Sequence, residues 1–146
     1  MMPLVYDRTD SDVQQARVIL ASGRNAAERL KGCYDHVDRN RVGLAVNELA
    51  AWMRINGYRT NARGLTDWRQ DSMVTRQRGE MLLESVAAVR RDFVTFLDTP
   101  RLPDSLFVMN HHNANALERV LADLQEMVSW IERNRDMYFS DITFYQ

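Results

Sequence analysis

The chain is poor in several features that would mark out a particular function. It holds one cysteine, Cys33, so no disulfide can form within it, which fits assembly in a reducing cytoplasm. Its 19 basic and 20 acidic residues nearly cancel, whereas a dedicated nucleic-acid binder carries a concentrated basic face. Its apolar runs are too short to span a bilayer, and its first residues lack the basic and apolar regions of a signal peptide. We therefore expect no nucleic-acid partner and no membrane insertion.

The local motifs of common enzymes are also missing. The sequence has no nucleophile elbow, no Gly-rich phosphate loop and no zincin helix. The neighbouring carboxylates Asp10 and Asp12 are explained by the start of a helix, where acidic side chains are favoured. A catalytic pair brought together only by the fold remains an alternative, but nothing local supports one. We therefore predict a protein that is not an enzyme, with no catalytic residues.

Residues that could ligate a metal are scattered along the chain. They comprise three histidines, the cysteine and two acidic residues: His36, His111, His112, Cys33, Asp35 and Asp38. Their spacing fits no zinc pattern, and His36 is far in sequence from the His111-His112 pair. This pair is expected near a helix start, where the positive helix end favours neutral imidazoles. We predict no metal site and no cofactor.

What the sequence does contain is the periodicity of amphipathic helices. Apolar residues recur every three or four positions in several segments, which is typical of a helix with one buried face. The predicted helices cover about 10–21, then 25–57 with a break near 32–36, then Thr75 to the stop at Asp98-Thr99-Pro100, and finally about 113–134. Loops are expected over 58–74 and 99–112, while residues 1–8 and the β-prone residues 137–146 are expected to be extended.

These elements predict one all-α domain over residues 1–146. Three long amphipathic helices and a short N-terminal helix cannot bury their apolar faces alone, so packing against one another is the simplest solution. The hydrophobic fraction of 45% and the charged fraction of 27% are ordinary for a globular domain of this length. The expected fold is a helical bundle with extended N- and C-terminal segments.

The start of the second long helix carries an unusual group of polar residues. Asp38, Asn40 and Arg41 crowd its first turn. Asp or Asn at such a position accepts hydrogen bonds from free backbone N–H groups, and a carboxylate suits the positive helix end. Arg41 could reach a carboxylate elsewhere in the fold. We interpret these residues as a structural helix start, and we expect Gly43 to allow a close contact between two helices.

Aromatic residues outside the predicted helices are candidate interface positions. Trp68 lies in the loop over 58–74, and four others lie near the chain end: Tyr138, Phe139, Phe144 and Tyr145. Rigid aromatic side chains are enriched at interfaces because each buries a large area. The alternative is that they close the core of this same chain. The residues alone leave both interpretations open for Trp68 and for the tail.

Several short motifs follow one another along the chain. In order they are Tyr6-Asp7-Arg8-Thr9 with Asp12-Val13, K-G-x-Y and D-x-N-R-V-G-x-A-V within 31–46, Thr66-Asp67-Trp68, Thr99-Pro100-Arg101-Leu102-Pro103-Asp104, and the helix residues Asn113, Ala114, Asn115, Leu117, Glu118 and Leu121. Together they resemble a family of small proteins from tailed phages and prophages, mostly of Gram-positive gut bacteria. The resemblance is patchy but collinear over nearly the whole chain. It departs at the end, where Ser140 to Tyr145 replaces the family's Gly-Glu ending.

The resemblance implies a virion protein associated with the tail, baseplate or fibre attachment region, assembled in the cytoplasm of a host bacterium. The expected mechanism is homo-oligomerisation and docking onto other virion proteins. A second hypothesis is a carbohydrate- or receptor-binding module of the virion that uses Trp68 as a stacking platform for a glycan. A third is a small intracellular regulator encoded by a prophage.

Overall fold

The computed structural model describes residues 1–23, 30–106 and 109–144, and for 136–144 it describes the backbone alone. Over this part of the chain all regular secondary structure is helical. The helices are α1 (Asp10–Ala21), α2 (His36–Ile55), α3 (Arg76–Asp92) and α4 (His111–Phe144). The predicted all-α bundle is therefore confirmed.

Helices α2, α3 and α4 pack on one another and form the core. Each presents an apolar face, and the largest buried side chains include Leu49, Met53, Leu82, Leu121 and Leu124. Helix α1 is peripheral, since Ala16 is its one buried residue. The three helices thus bury one another's apolar faces, as the apolar periodicity predicts.

The helix starts follow the capping patterns of the sequence. Thr9 caps α1 in a capping box with Asp12, and Thr75 caps α3 by accepting a hydrogen bond from the backbone N–H of Arg78. Donation from the backbone and hydroxyl of Thr9 lowers the pKa of the Asp12 carboxyl. The predicted stop after α2 is also confirmed, because Gly57 has φ +87°.

The N-terminal segment is extended, as predicted, and lies between α2 and α4. The backbone N–H of Met2 donates to Glu48 of α2 at 2.7 Å, and its carbonyl accepts from Gln125 of α4 at 2.9 Å. Further along, the backbone N–H and C=O of Arg8 both bond to the side-chain amide of Asn115, at 3.0 and 2.8 Å. The first eight residues therefore form a fixed part of the fold.

The extended segment between α2 and α3 lies directly on α2. Two asparagine side chains, Asn40 and Asn47, each bind both backbone groups of one segment residue, Trp68 and Gly64 respectively. Between them the Cα of Gly43 lies so close to the segment that an added Cβ would stand 1.8 Å from the Leu65 carbonyl oxygen. The expected close contact at Gly43 exists, but its partner is this segment and not another helix.

The predicted second helical region is shorter than expected. Residues 30–35 are not helical, and residues 24–29 lie outside the described part of the chain. Helix α2 begins where Asp35 caps it and Asp38 completes a capping box. Gly32 belongs to the chain before this start, and a Cβ there would lie 2.1 Å from the backbone oxygen of Asp12.

Helix α3 ends earlier than the apolar pattern predicts. It stops at Asp92, so Phe93 and Phe96 lie beyond it, although the predicted helix continues to the stop at Asp98. The ring of Phe93 makes edge-on contacts with Tyr58 and Trp52, with centroids 4.9 and 5.6 Å apart. These contacts stabilise an extended backbone at Phe93, which tertiary packing can favour over helix continuation.

Helix α4 is longer than predicted at both ends, especially at the C-terminus. The expectation that 137–146 is extended is wrong for 137–144, whose backbone is helical. The sequence after Asn113 contains neither proline nor glycine, so nothing there breaks the helix. The sequence predicts an extended segment here because aromatic residues favour β-strands, but β propensity depends strongly on context.

Candidate functional site

The polar start of α2 is part of a buried cluster of four charges. Arg8 from the N-terminal segment contacts Asp38 of α2 at 3.0 Å and Glu118 of α4 at 2.9 Å. Arg41 of α2 contacts the same two carboxylates, at 2.5 Å and 2.7 Å. We call Arg8, Asp38, Arg41 and Glu118 the ion quartet. It contains two cations and two anions, and it joins three elements that are distant in sequence.

Charge balance makes this burial tolerable. The Glu118 side chain has no exposed surface, and both of its oxygens accept hydrogen bonds from arginine. Burial by itself lowers the pKa of Arg41, but the hydrogen bonds and charges of Glu118 and Asp38 outweigh it and raise that pKa above its ordinary value. A carboxylate whose two oxygens are both bound by arginine is suited to fixing chain segments in place.

Tyr34 borders the ion quartet. The guanidinium of Arg8 lies 5.3 Å from the centroid of the Tyr34 ring, and the guanidinium of Arg39 lies 5.8 Å from that centroid. Its hydroxyl is buried and has no hydrogen-bond partner among the described residues. Burial, followed by the charges of Glu118 and Asp38, raises the pKa of this phenol well above its usual value of 10.0.

The motifs that carry the family resemblance meet in these contacts. Arg8 comes from the first motif, Asp38 and Arg41 from the second, and Glu118 from the last. In the same way Thr99, in the Thr-Pro motif, donates from its hydroxyl to the buried carboxylate of Asp123 at 2.7 Å. The motif residues brought together here stabilise the fold.

Sequence reasoning identified only part of this arrangement. It placed Asp38, Asn40 and Arg41 at a helix start and expected Arg41 to reach a remote carboxylate, which Glu118 provides. It did not assign a partner to Arg8, because 110 residues separate Arg8 from Glu118. The available signal was that both residues fall within motifs of the same resemblance.

Trp68 belongs to the core, which is one of the two interpretations that the sequence left open. Only 3% of its surface is exposed, and the guanidinium groups of Arg78 and Arg39 lie 4.4 and 5.3 Å from its ring. Its indole N–H has no hydrogen-bond partner among the described residues. A stacking platform for a sugar needs an open ring face, and Trp68 does not offer one.

The other candidate interface residues lie at the end of α4. Tyr138, Phe139 and Phe144 are in its helical backbone, while Tyr145 lies outside the described residues. Helix α4 passes the end of α2 at Arg135, whose guanidinium contacts the side chain of Asn56, the C-cap of α2. The nine residues from 136 to 144 continue beyond that point, over about 13 Å at 1.5 Å per residue.

The sequence-predicted separation of His36 from the other histidines also holds. His36 is the first residue of α2, whereas His111 and His112 are the first two residues of α4. The imidazole of His111 lies 3.0 Å from the carboxylate of Asp10, the first residue of α1. Sequence reasoning did not connect Asp10 with this pair because 101 residues separate them.

A surface groove of about 450 Å³ runs between the extended segment at 61–65 and α3. Its floor includes Ala62 and Leu65, and the hydroxyl of Ser85 in its wall donates to the carbonyl of Leu82 at 2.6 Å. Because that hydroxyl is held by a carbonyl and not by a base, the groove does not present an activated nucleophile.

Comparison of the chain with models of protein families, with curated proteins and with solved structures gives no match. Among the residues described here, no helix combines the length and the apolar character needed to cross a membrane.

Proposed function

We propose that this chain is a non-enzymatic structural protein of a tailed-phage virion, at the tail, baseplate or fibre attachment region. It acts by self-association and by docking onto other virion proteins, and it is assembled in the cytoplasm of the host bacterium. The single observation that carries the proposal is the end of α4, which continues as a helix for nine residues after Arg135 and has a strongly aromatic sequence. The resemblance described above supplies the phage context.

The interior of the chain supports a structural role. Three buried charged groups, Arg8, Asp38 and Glu118, meet in the ion quartet, and the asparagines at the segment contacts bind backbone groups. These polar side chains hold the N-terminal and connecting segments on the helices. A chain whose buried polar groups serve its own fold is suited to presenting a fixed surface to partners.

The end of α4 supports docking as the mechanism. Met137, Tyr138, Phe139, Ile142 and Phe144 fall within nine helical residues beyond Arg135. Trp130, one to two turns earlier on the same helix, is 54% exposed. An apolar end of a long helix is suited to packing against a groove or helix of a partner.

The glycan-binding alternative has lost its main candidate residue, since Trp68 is buried. The intracellular-regulator alternative makes a different prediction about location. Mass spectrometry of purified particles from cells that encode this chain tests the proposal directly. We expect the chain in the particles at a defined copy number relative to tail proteins, whereas its presence only in the cell lysate would contradict the proposal.

A further inference from the structure

The starts of α1 and α4 bring three metal-ligating side chains together. Asp10 is the first residue of α1, and His111 and His112 open α4. The Asp10 carboxylate lies 3.0 Å from Nε2 of His111, and the two imidazole centroids are 3.9 Å apart. One ligand atom from each of the three residues lies within 4.8 Å of the other two.

These donors suit zinc in type and in spacing. Zn²⁺ binds imidazole nitrogens and carboxylate oxygens at about 2.0–2.2 Å, so tetrahedral ligands stand about 3.4 Å apart. The carboxylate of Asp10 is 91% exposed, and His112 also lies at the surface, so both can rotate inward without disturbing the core. The ligand atoms therefore need only side-chain movements to reach one ion.

The charges at the two helix ends also matter for an ion at this position. The positive ends of α1 and α4 repel a cation, and the negative charge of Asp10 offsets that repulsion. Two imidazoles and one carboxylate make a donor set that suits a divalent ion and not an anion.

We propose that Asp10, His111 and His112 bind one Zn²⁺ ion at the surface of the bundle. Three protein ligands leave a fourth tetrahedral position for water or for a group from a partner. Since α1 buries only Ala16, the ion would hold the start of this peripheral helix on α4. The proposal departs from the sequence-based expectation that the chain has no metal site.

Isothermal titration of the full chain with zinc chloride, in a buffer that does not bind zinc, tests this assignment. We expect one Zn²⁺ per chain, and at least about a tenfold weaker affinity in Asp10→Asn and in His112→Ala, because even groups behind the ligands affect affinity by 10–100-fold. The His36→Ala variant is the matched control, because His36 is the first residue of α2 and is not one of the three proposed ligands. A Cys33→Ser variant tests the single thiol in the same way.

Thermal unfolding provides a second readout that does not depend on the titration signal. Zinc should raise the Tm of the wild type and of both control variants, and the rise should be clearly smaller in Asp10→Asn at the same zinc concentration. Circular dichroism establishes that each variant keeps the wild-type helix content, and His111→Ala replaces any variant that does not. Three results overturn the proposal: no saturation at millimolar zinc, undiminished binding in the Asp10 and His112 variants, or loss of binding in either control.

Discussion

At the scale of single residues, buried polar side chains decide how the chain segments meet. Arg8 is the clearest case, because its guanidinium binds Asp38, Glu118 and two backbone carbonyls. Such groups are costly to bury and worth keeping only when every charge finds a partner. The structural importance of a residue in this protein therefore depends on its partners and less on its hydrophobicity.

Replacing Arg8 by methionine should strongly destabilise the protein. Removing one partner of a buried ion pair leaves uncompensated charge and typically costs about 3–5 kcal/mol. The free energy of unfolding in urea measures this effect. Arg76→Met is the matched control, because Arg76 pairs with Glu80 in a largely exposed contact worth at most about 1 kcal/mol. Equal effects of the two substitutions would show that the ion quartet is not needed for stability.

Replacing Tyr34 by phenylalanine should stabilise the protein by about 1 kcal/mol, because an unpartnered buried hydroxyl is itself costly. Chemical denaturation at neutral pH measures the change. The exposed Tyr6 provides the control, and Tyr6→Phe should leave stability unchanged. A clear loss of stability in Tyr34→Phe would mean that its hydroxyl has a partner.

The raised pKa of Tyr34 also predicts how the stability of the protein changes at alkaline pH. The pKa of Tyr34 is raised in the folded state, so the unfolded chain releases this proton first. This titration leaves the free energy of unfolding unchanged below the unfolded pKa of 10.0 and lowers it as pH rises from there toward the folded pKa. Urea titrations above pH 10 should show a shallower decrease in Tyr34→Phe than in the wild type. Identical slopes would contradict the raised pKa.

At the scale of elements, an extended segment contacts a helix through backbone proximity and side-chain amides. Gly43 lets the segment approach α2, and Asn40 and Asn47 bind its backbone one turn to either side. The spacing of these three residues places them on one face of the helix. This face of α2 is polar, yet it is covered, so apolar periodicity does not reveal it.

Two glycine-to-alanine substitutions in helices should therefore have opposite effects. Gly43→Ala places a methyl group against the Leu65 carbonyl and should destabilise by at least about 1–3 kcal/mol through overpacking. Gly79→Ala meets only the Val74 side chain at 4.0 Å and should stabilise α3 by about 1 kcal/mol. Thermal unfolding of both variants measures the difference. A gain in stability from Gly43→Ala would contradict the close approach.

The sequence predicts the features of the fold that depend on neighbouring residues, and it misses those that depend on long-range contacts. Local patterns were enough for α1 and for the caps at Thr9 and Thr75, because capping depends on neighbouring residues. The end of α3 was missed because the aromatic contacts of Phe93 are tertiary. The ion quartet could be anticipated at Arg41 but not completed, since its other members lie far away in the sequence.

At the scale of the whole molecule, three kinds of contact connect the helices and the extended segments. The N-terminal segment, the connecting segment and three helices are held together by the core, the ion quartet and the asparagine contacts. Helix α4 contacts the end of α2 through Arg135 and then continues for nine residues. The central claim is that this continuation is the docking element.

Deleting residues 138–146 tests that claim most directly, with oligomeric state measured by light scattering after size-exclusion chromatography. The double variant Ser140→Ala with Asp141→Asn is the matched control, because it changes polar residues in the same segment. We predict that the full chain and the control self-associate, while the truncated chain keeps its Tm but elutes as a monomer. A truncated chain that unfolds, or one that still assembles as the full chain does, would contradict the account.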